Sequence, residues 1–360
     1  MNVTIMGSGN GGCAAAFDFA QHGHAVKLFD FSEYAANIEA IQRDGGIHSE
    51  GDLEGFASIV YAGHDVAAAM EDAELILLIG PAYSTEPFAQ ACRPYLKPGQ
   101  VVIVCPSSCG GALEFAHVAG DKLHDRQVIV AETSTLPYAV RVVEPGKIKV
   151  FLKLKDGVLL AALPAGQSSL VIDKVRDVYP FITPAANVLQ TSLQNGNPVI
   201  HPSVTLLNAA LIERTGGDFF FYEHGVTPAV GRLMEAIDRE RIAIGRALGF
   251  EVLDDPTLGC SQGYMTSADY SEGYALAPGF AGIKAQDQLD NRYFQEDVGF
   301  GLVFMKRLGD QLGVDVTSMT SLIHIISILM QRDYLAESAR TLRRYGLENC
   351  TSEQLQNALA

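Results

Sequence analysis

A glycine-rich stretch close to the start of the chain has the spacing of a phosphate-binding loop. It follows the apolar run Val3–Met6 and satisfies the pattern G-x-G-x-x-G. Its members are Gly7, Ser8, Gly9, Asn10, Gly11 and Gly12. Where such a loop joins a strand to a helix, its glycines permit a tight turn, and the free N–H groups at the start of the helix can bind a pyrophosphate.

A carboxylate stands where a dinucleotide site needs one. Asp30 follows a second apolar run, Ala25–Phe29, and lies 18 residues beyond Gly12. There it can accept hydrogen bonds from a ribose hydroxyl, whereas it would repel a 2′-phosphate. The segment that it begins, DFSEY, contains no arginine. The sequence therefore predicts bound NAD (NADH), with NADP less favoured; a turn that holds no ligand is the alternative.

Two further strand ends are expected near the cofactor. Pro81 and Ala82 end the apolar run 73–82, and residues 105–108 end the next one. Ligands of open parallel sheets bind outside the carboxyl ends of the strands, which places both segments beside the dinucleotide. Ordinary strand-to-helix turns are the other interpretation.

A histidine far along the chain could exchange a proton with a substrate. His201 lies among apolar residues, four positions after Asn197. If this segment is helical, Asn197 and His201 share one face; Pro198 suits a first helical turn, but Pro202 would kink a helix that had already begun. Taken alone, the segment also fits a hydrogen-bonded core histidine.

A cation and two acids follow in LDNRYFQEDVGFGLV. Arg292 could bind a ligand carboxylate through its two-pronged guanidinium, and Asp297 could orient a histidine. In a regular helix, residues five apart are separated by about 140°, so these two side chains would not point the same way. A surface arginine followed by helix-starting acids is the alternative.

The elements that must position these residues divide the chain in two. Residues 1–182 alternate strands and helices, which predicts a doubly wound, mostly parallel sheet with helices on both faces. From Val140 onward, Pro-Gly and Asp-Gly punctuate alternating runs, which predicts antiparallel strands at the edge of that sheet. Residues 183–360 are mainly helical in pattern, with expected helices at 198–215, 229–248, 301–312, 318–332 and 334–344.

Composition limits the class of protein. The chain has 360 residues, of which 42 are acidic and 26 basic, for a formal net charge of −16. This balance argues against nucleic acid or an anionic membrane as a partner. The six cysteines have no zinc-site spacing, so no metal is predicted, and the sequence predicts neither a signal peptide nor a membrane-spanning segment. A cytoplasmic protein is expected.

With these residues in view, the chain resembles the octopine/nopaline dehydrogenase family, the opine dehydrogenases, and particularly its bacterial members that join pyruvate to norvaline-like amino acids. The similarity extends through nearly the whole chain. The motifs that carry it are GSGNGGCAAAF, GGALEF (Gly110–Phe115), AETST (Ala131–Thr135), NPVIHPSVTLLNAA, GVTPAVG (Gly225–Gly231), DRERIAI (Asp238–Ile244) and NRYFQEDVGFGLV.

The resemblance implies a Rossmann domain followed by an all-helical domain of the 6-phosphogluconate dehydrogenase C-terminal type. It also implies roles for the ambiguous residues: His201 as catalytic acid/base, Asp297 as its orienting partner, Arg292 as carboxylate ligand and Asn197 as a polar active-site residue. The implied reaction condenses a 2-keto acid with an amino acid and reduces the imine with NAD(P)H. Related folds form dimers, so a homodimer is expected.

Two alternatives remain at this point. Reductases of ketopantoate and glycerol phosphate resemble the chain in architecture but use a catalytic lysine, and no lysine occurs between Lys174 and Lys284. A non-catalytic, NAD-binding sensor would bind cofactor without turnover. The amino-acid substrate is not readable: the aromatic run Phe219–Tyr222 could form an apolar side-chain pocket, which would favour an apolar L-amino acid, or could fill the core.

Overall fold

The computed structural model describes residues 1–120 and 122–360, apart from the side chains of Lys122 and His124. The chain divides into two compact units. The first comprises Met1–Ser107 and Gly111–Val188, and the second comprises Ser108–Gly110 and Leu189–Ala360. The sequence placed the boundary between residues 182 and 183, whereas the described units divide after Val188 and assign a short turn from the first half to the second unit.

Twelve strands form two sheets among the described residues. They are β1 (Asn2–Met6), β2 (Ala25–Phe29), β3 (Gly46–Gly51), β4 (Gly55–Ser58), β5 (Tyr61–Gly63), β6 (Leu75–Leu78), β7 (Val101–Val104), β8 (Ile129–Thr133), β9 (Tyr138–Glu144), β10 (Lys147–Lys153), β11 (Val158–Leu163) and β12 (Ile182–Pro184). The β-branched and aliphatic runs of β1, β6 and β7 are almost fully buried, as expected of central parallel strands.

The larger sheet has the order β12-β11-β8-β7-β6-β1-β2-β5. The six strands from β5 to β8 are parallel, and their order is that of a dinucleotide-binding doubly wound fold. β11 is antiparallel to β8, so the predicted antiparallel edge is present. The predicted fold class is confirmed.

The smaller sheet was not predicted. It has the order β4-β3-β10-β9. The hairpin of β9 and β10, expected at the edge of the main sheet, instead pairs with β3. This correction has a local cause: periodicity identifies a hairpin but not its partner, and the short strands β3 and β4, rich in glycine and polar residues, gave no clear strand pattern.

Helices of the first unit flank these strands. They are α1 (Asn10–Gln21), α2 (Ala35–Asp44), α3 (Val66–Met70), α4 (Thr85–Cys92), α5 (Gly111–Ala119), α6 (Lys122–Arg126) and α7 (Ser168–Val175). α1 is buried over most of its length and contacts strands of both sheets. Its small residues, including Ala14, Ala15 and Ala16, allow this close approach on two sides.

Helices are the regular elements of the second unit among its described residues, joined by irregular segments and with an isolated β-bridge between Phe220 and Lys284. Its helices are α8 (Val188–Leu193), α9 (Asn197–Leu207), α10 (Ala209–Thr215), α11 (Pro228–Ala247), α12 (Asp255–Gln262), α13 (Glu272–Ala275), α14 (Arg292–Gln295), α15 (Val303–Leu312), α16 (Thr317–Met330), α17 (Tyr334–Glu337) and α18 (Ser352–Leu359). A π-helical turn, Asp297–Leu302, precedes α15.

Two helix predictions needed correction. The segment 334–344 was expected to be one helix, but α17 ends at Glu337, where Ser338 takes an extended conformation. The segment 198–215 is two helices rather than one, because Asn208 leaves the helical conformation between α9 and α10. Within the described residues, no helix combines the length and the apolar character that crossing a bilayer requires.

Candidate cofactor and catalytic sites

The glycine loop is a tight turn in which two positions cannot carry a side chain. Gly7 has φ +113°, and a Cβ added there would lie 2.1 Å from the carbonyl oxygen of Ile79. A Cβ on Gly12 would lie 1.7 Å from the carbonyl oxygen of Gly7. Glycine at these positions therefore lets the turn form and lets α1 pack directly on it.

Gly9 has no such intramolecular reason. Its φ of −74° is open to any residue, and an added Cβ would meet no atom within 4 Å. It is the N-cap of α1 and supplies no side-chain hydrogen bond to the first turn of the helix. A helix start without a capping side chain, next to an open and exposed glycine, fits a pyrophosphate held by backbone N–H groups.

Asp30 is buried beside the loop. Its Oδ2 accepts hydrogen bonds from the backbone N–H of Ser8 at 2.6 Å and from the Ser8 hydroxyl at 2.8 Å, and its Oδ1 accepts from the N–H of Phe31 at 2.8 Å. The carboxylate therefore holds the loop in place, and its Oδ1 can accept a second hydrogen bond. Because the Ser8 hydroxyl can rotate away, Oδ2 can also accept a hydrogen bond from a ribose hydroxyl.

The other predicted cofactor residues lie around the same turn. The side chain of Asn10 accepts a hydrogen bond from the N–H of Val142 in β9, at 2.7 Å, so only its backbone faces the start of α1. Gly11 packs on Leu136 and Ile79. Pro81 and Ala82 begin the short 3-10 turn that follows β6. The contact of Gly7 with Ile79 brings the ends of β1 and β6 together, as the parallel sheet predicted.

Replacing Gly9 with alanine should weaken NADH binding without unfolding the protein. The methyl group meets no protein atom but occupies the space in which a phosphate would approach the backbone. We expect the dissociation constant for NADH to rise by about tenfold or more, which corresponds to about 1.4 kcal/mol. Fluorescence titration with NADH measures it. Gly166→Ala is the matched control because a Cβ there also meets nothing within 4 Å. Equal NADH affinity in both variants would contradict this use of Gly9.

His201 is buried in α9 and held on both ring nitrogens. Its Nδ1 lies 2.8 Å from Oδ2 of Asp297, and its Nε2 lies 3.2 Å from the hydroxyl of Tyr222. The ring stacks on Tyr293 with centroids 4.0 Å apart. A carboxylate oxygen accepts, so Nδ1 carries the hydrogen, and Nε2 of the neutral ring is left as the proton acceptor. This arrangement suits a general acid/base.

The π-helical turn explains how Asp297 reaches the histidine. The carbonyl of Glu296 accepts from the N–H of Phe300 at 2.9 Å and also from that of Gly301 at 3.1 Å, so the backbone is locally wider than an α-helix. A Cβ on Gly301 would lie 2.4 Å from the ring of Pro198. The absent side chain lets α9 approach the turn, and α9 continues through Pro202 to carry His201 there.

Arg292 lies at the start of α14, with its side chain 52% exposed. Nη1 is 3.7 Å from Oε2 of Glu296, and the guanidinium lies over the ring of Tyr293. Desolvation lowers the pKa of Arg292, but the negative charges of Glu296 and Asp297 raise it, so that the pKa lies above its ordinary value. The prediction that Arg292 and Asp297 diverge assumed a regular helix, which this segment is not. A charged, half-exposed guanidinium is suited to a carboxylate ligand.

Asn197 begins α9, one turn before His201, as the sequence predicted. It is half-buried, and its backbone N–H donates to the side chain of Asn195 at 3.2 Å. Residues four apart lie on the same face of a helix, so Asn197 and His201 are presented to the same side of α9.

Three contacts of this site were missed at the sequence level. Tyr222 was considered only as pocket lining or core filling, and Tyr293 was not considered. Glu296 accepts a hydrogen bond from the hydroxyl of Ser108 at 2.8 Å, across 188 positions of sequence. The aromatic run ending in Tyr222 was the available signal, because the hydroxyl of a buried tyrosine usually has a hydrogen-bond partner. No spacing rule connects it with His201.

A buried acidic pair supports the start of α9 and the aromatic cluster. Oδ1 of Asp255 fills the space that a Cβ on Gly196 would need. Its Oδ2 accepts from the hydroxyl of Tyr274, which stacks near Tyr222. Burial, followed by the charge of Asp238, raises the pKa of Asp255 to about 6. No group of three or more metal-ligating side chains occurs among the residues that the structure describes.

The raised pKa of Asp255 predicts a pH-dependent stability. The folded protein keeps the Asp255 proton up to about pH 6, whereas the unfolded chain loses it near 3.8. Because the folded state binds more protons between these values, this group makes the free energy of unfolding fall as the pH rises through the window, by about 3 kcal/mol in total. Urea unfolding of the wild type and of Asp255→Asn at several pH values should show their difference shrinking by this order. Asp254→Asn, at the neighbouring helix cap, is the control. A difference that is constant with pH would refute the assignment.

Comparison with known proteins indicates which family of proteins this architecture belongs to. Residues 184–330 match the family model for the NAD/NADP octopine/nopaline dehydrogenase alpha-helical domain, and residues 2–114 match the NAD-dependent glycerol-3-phosphate dehydrogenase N-terminus. The opine dehydrogenase of Arthrobacter sp. (strain 1C) is 35% identical over 361 residues, which cover 99% of this chain and 98% of that enzyme.

Solved structures show the same fold. A structure of octopine dehydrogenase in complex with NADH and agmatine superposes with a TM-score of 0.80 at 20% identity. Another, with NADH and pyruvate, gives a TM-score of 0.78 at 19% identity. Each alignment covers 99% of this chain and 98% of the other.

The Rossmann unit with its dinucleotide loop and the helical unit with its buried histidine together define an NAD(P)-dependent oxidoreductase. The full-length similarity makes this narrower: the chain belongs to the octopine/nopaline dehydrogenase family, the opine dehydrogenases. It acts on CH–NH bonds, condensing a 2-keto acid with the amine of an amino acid in an NADH-dependent reduction, and its substrates are small molecules. The predictions of family, enzyme class and NAD as cofactor are confirmed. The ketopantoate-type and sensor alternatives are set aside.

Proposed function

We propose that this enzyme joins pyruvate to an L-amino acid, with His201 as general acid/base, Asp297 as its orienting carboxylate, Arg292 as the ligand of the keto-acid carboxylate and Asn197 as an adjacent polar contact. The observation that carries the assignment is the hydrogen bond of 2.8 Å between the buried His201 and Asp297. The half-exposed guanidinium of Arg292, four positions before Glu296, supplies a positive charge near this pair.

His201 has the proton chemistry that the reaction needs. Condensation of a keto acid with an amine expels water, so an acid must donate a proton to the leaving oxygen, and the reverse reaction needs a base. With Nδ1 fixed on Asp297, all exchange takes place at Nε2. NADH supplies the hydride when bound. The protein's own part is to bind the carboxylate, to hold the imidazole in one orientation and to move the proton.

Arg292 and Asn197 are assigned to binding. The strongly acidic chain repels an anionic keto acid, so its carboxylate must be held by a placed cation. Arg292 remains charged, and the ion pair that the structure describes for it, to Glu296, is long at 3.7 Å, which leaves N–H groups for a ligand. Pyruvate is proposed because an octopine dehydrogenase structure of the same fold contains it together with NADH.

NADH is proposed over NADPH. Asp30 presents a buried carboxylate at the loop, where a 2′-phosphate would meet like charge. The next charged residue along the chain is Glu33, which adds to this repulsion. Initial rates with each cofactor at equal concentration test the preference.

The decisive experiment measures NADH oxidation with pyruvate and a panel of amino acids, covering apolar, basic and acidic side chains. Turnover must require both pyruvate and an amine, and the product must be an N-(carboxyethyl) amino acid by mass spectrometry. Pyruvate alone and ketopantoate are the controls. Turnover with ketopantoate and no amine would overturn the proposal. Faster turnover with apolar amino acids is expected from the aromatic cluster around His201.

We also propose, from the sequence, a cytoplasmic homodimer without nucleic-acid or membrane partners. All six cysteines are free thiols in the described structure, which suits a reducing compartment. The net charge of −16 disfavours polyanionic partners. Sedimentation of the purified enzyme measures the oligomeric state.

A further inference from the structure

We propose that Tyr222 is a catalytic residue of this enzyme: its hydroxyl relays the proton between Nε2 of His201 and the substrate oxygen. The inference rests on the proposed function of His201 and Arg292 and adds the group that is hydrogen-bonded to Nε2 of the histidine. Tyr222 lies in the irregular segment before α11, and its side chain is 5% exposed.

The first step is the hydrogen bond to the reacting nitrogen. Nδ1 of His201 is committed to Asp297, so every proton that the imidazole gives or takes must pass through Nε2. The tyrosine hydroxyl lies 3.2 Å from that atom. A hydroxyl can donate to a neutral imidazole and accept from a protonated one, whereas a backbone N–H can only donate and a carbonyl oxygen can only accept. Tyr222 is therefore the described group placed to receive the proton.

The second step is the protonation state of the same hydroxyl. Burial and the neighbouring Tyr293 hold the pKa of Tyr222 well above its ordinary value, while the charge of Arg292 acts in the opposite direction. The phenol therefore keeps a proton that it can donate to the substrate oxygen. His201 and Tyr222 are equally buried, with 5% of each residue exposed. Because Nε2 of His201 already faces the tyrosine hydroxyl, the substrate oxygen is placed at that hydroxyl.

The third step is the rigidity of the ring. Tyr222 stacks on Phe280 with centroids 4.3 Å apart and an interplanar angle of 14°, and it meets Phe221 edge to face at 5.0 Å. Because the ring is packed against both neighbours, the phenolic oxygen stays in place, and its hydrogen can change direction by rotation about the C–O bond. A proton relay needs this combination of a fixed oxygen and a mobile hydrogen.

The proposed step balances as follows. In the addition product of amine and keto acid, the C–O bond breaks with its electron pair on oxygen as that oxygen takes the phenolic proton and leaves as water. The nitrogen lone pair forms the C=N bond. Before this step His201 takes a proton at Nε2 from the ammonium group of the amino acid, through Tyr222, and becomes an imidazolium. As the water leaves, the phenolic oxygen takes that proton from Nε2, so tyrosine ends as a neutral phenol, histidine as a neutral imidazole and the substrate as a protonated imine. The reverse direction, opine oxidation, moves the same protons backwards.

The test compares Tyr222→Phe with the wild type. We expect kcat to fall by about 100-fold, the lower end of the range for loss of a positioned acid–base group, with the NADH dissociation constant unchanged. The proton inventory, which is the dependence of the rate on the deuterium content of the solvent, should indicate two transferred protons for the wild type and one for the variant. A readout independent of hydride transfer is exchange of ¹⁸O from water into pyruvate in the presence of amino acid and NAD⁺, which should slow by a similar factor.

Tyr334→Phe is the matched control. Its hydroxyl is buried in the same unit and makes no hydrogen bond within the described structure. Its ring lies below Gly299 of the π-helical turn. Removal of this hydroxyl should leave turnover, the isotope effect and oxygen exchange within twofold of the wild type.

The outcomes separate the relay from the proposed function. If His201→Ala abolishes turnover while Tyr222→Phe keeps kcat and oxygen exchange within twofold of the wild type, the relay is wrong and the histidine acts directly. If His201→Ala itself retains turnover, the proposed function of the site fails. Should Tyr222→Phe fold poorly, 3-fluorotyrosine at position 222 replaces it: a shift of the pH–rate profile supports the relay, and an unchanged profile overturns it.

Discussion

His201→Ala should lower kcat for reductive condensation by about 10²- to 10⁴-fold, the contribution expected of a positioned general acid/base. The substitution removes the group that exchanges protons at Nε2, while every predicted cofactor residue lies in the first unit. The NADH dissociation constant should therefore stay within twofold. Stopped-flow absorbance at saturating substrates measures the rate, and fluorescence titration measures NADH binding.

The same change leaves two buried polar groups without their partner. Asp297 and Tyr222 both hydrogen-bond to His201, so a loss of stability of about 1–3 kcal/mol per unpaired group is expected. Urea unfolding must accompany the kinetics, and His201→Gln provides a polar companion variant. His324→Ala, an exposed histidine on α16, is the control. Turnover by both position-201 variants at half the wild-type rate or more would show that another group moves the proton.

Asp297→Asn should be the second most damaging change, with kcat lower by about 10²-fold or more. The replacement has nearly the same shape, but its amide N–H₂ can donate to Nδ1. The ring is then stabilised with its hydrogen on Nε2, where it can no longer accept the substrate's proton. Opine oxidation, which needs the base, should suffer most. Rates in both directions across pH 6–9 measure the effect.

Two comparisons test whether Asp297 acts through His201. Asp290→Asn changes an exposed carboxylate seven positions earlier and should be neutral. The double variant His201→Ala with Asp297→Asn should be no slower than His201→Ala alone, because residues that act as one unit do not contribute additively. A further tenfold loss in the double variant would mean that Asp297 contacts the substrate independently.

The first unit could be predicted in most of its outline. The apolar runs 3–6, 25–29 and 73–82 predicted the central strands β1, β2 and β6 within two or three residues at most ends, since a parallel strand covered on both faces has a continuous apolar sequence. The smaller sheet could not be predicted. Its strands are short, half-exposed and held by pairing between β3 and β10, about 100 positions apart, which no local pattern encodes.

The candidate site was less accessible to sequence reasoning. His201, Asn197, Arg292 and Asp297 were singled out from their own segments, but those segments also fitted core or surface roles, and the family resemblance decided between these interpretations. The prediction that the side chains of Arg292 and Asp297 point in different directions assumed a regular helix. That assumption was wrong, because the carbonyl of Glu296 accepts hydrogen bonds from two N–H groups and the helix is wider there. The π-helical turn depends on how α9 packs against Gly301, and this packing exists only in the tertiary structure.

The sequence by itself determined the cofactor loop, because its glycines and Asp30 act through backbone conformation and charge within one strand-helix-strand segment. Only the tertiary structure decided the proton path. Asp297, His201 and Tyr222 come from three segments spread over 97 positions, from 201 to 297, and their order in space is set by the packing of α9 on the π-helical turn and by the aromatic stack behind Tyr222. Local interactions depend on residues that are close in sequence, whereas a hydrogen-bonded relay between helices exists only once those helices have packed.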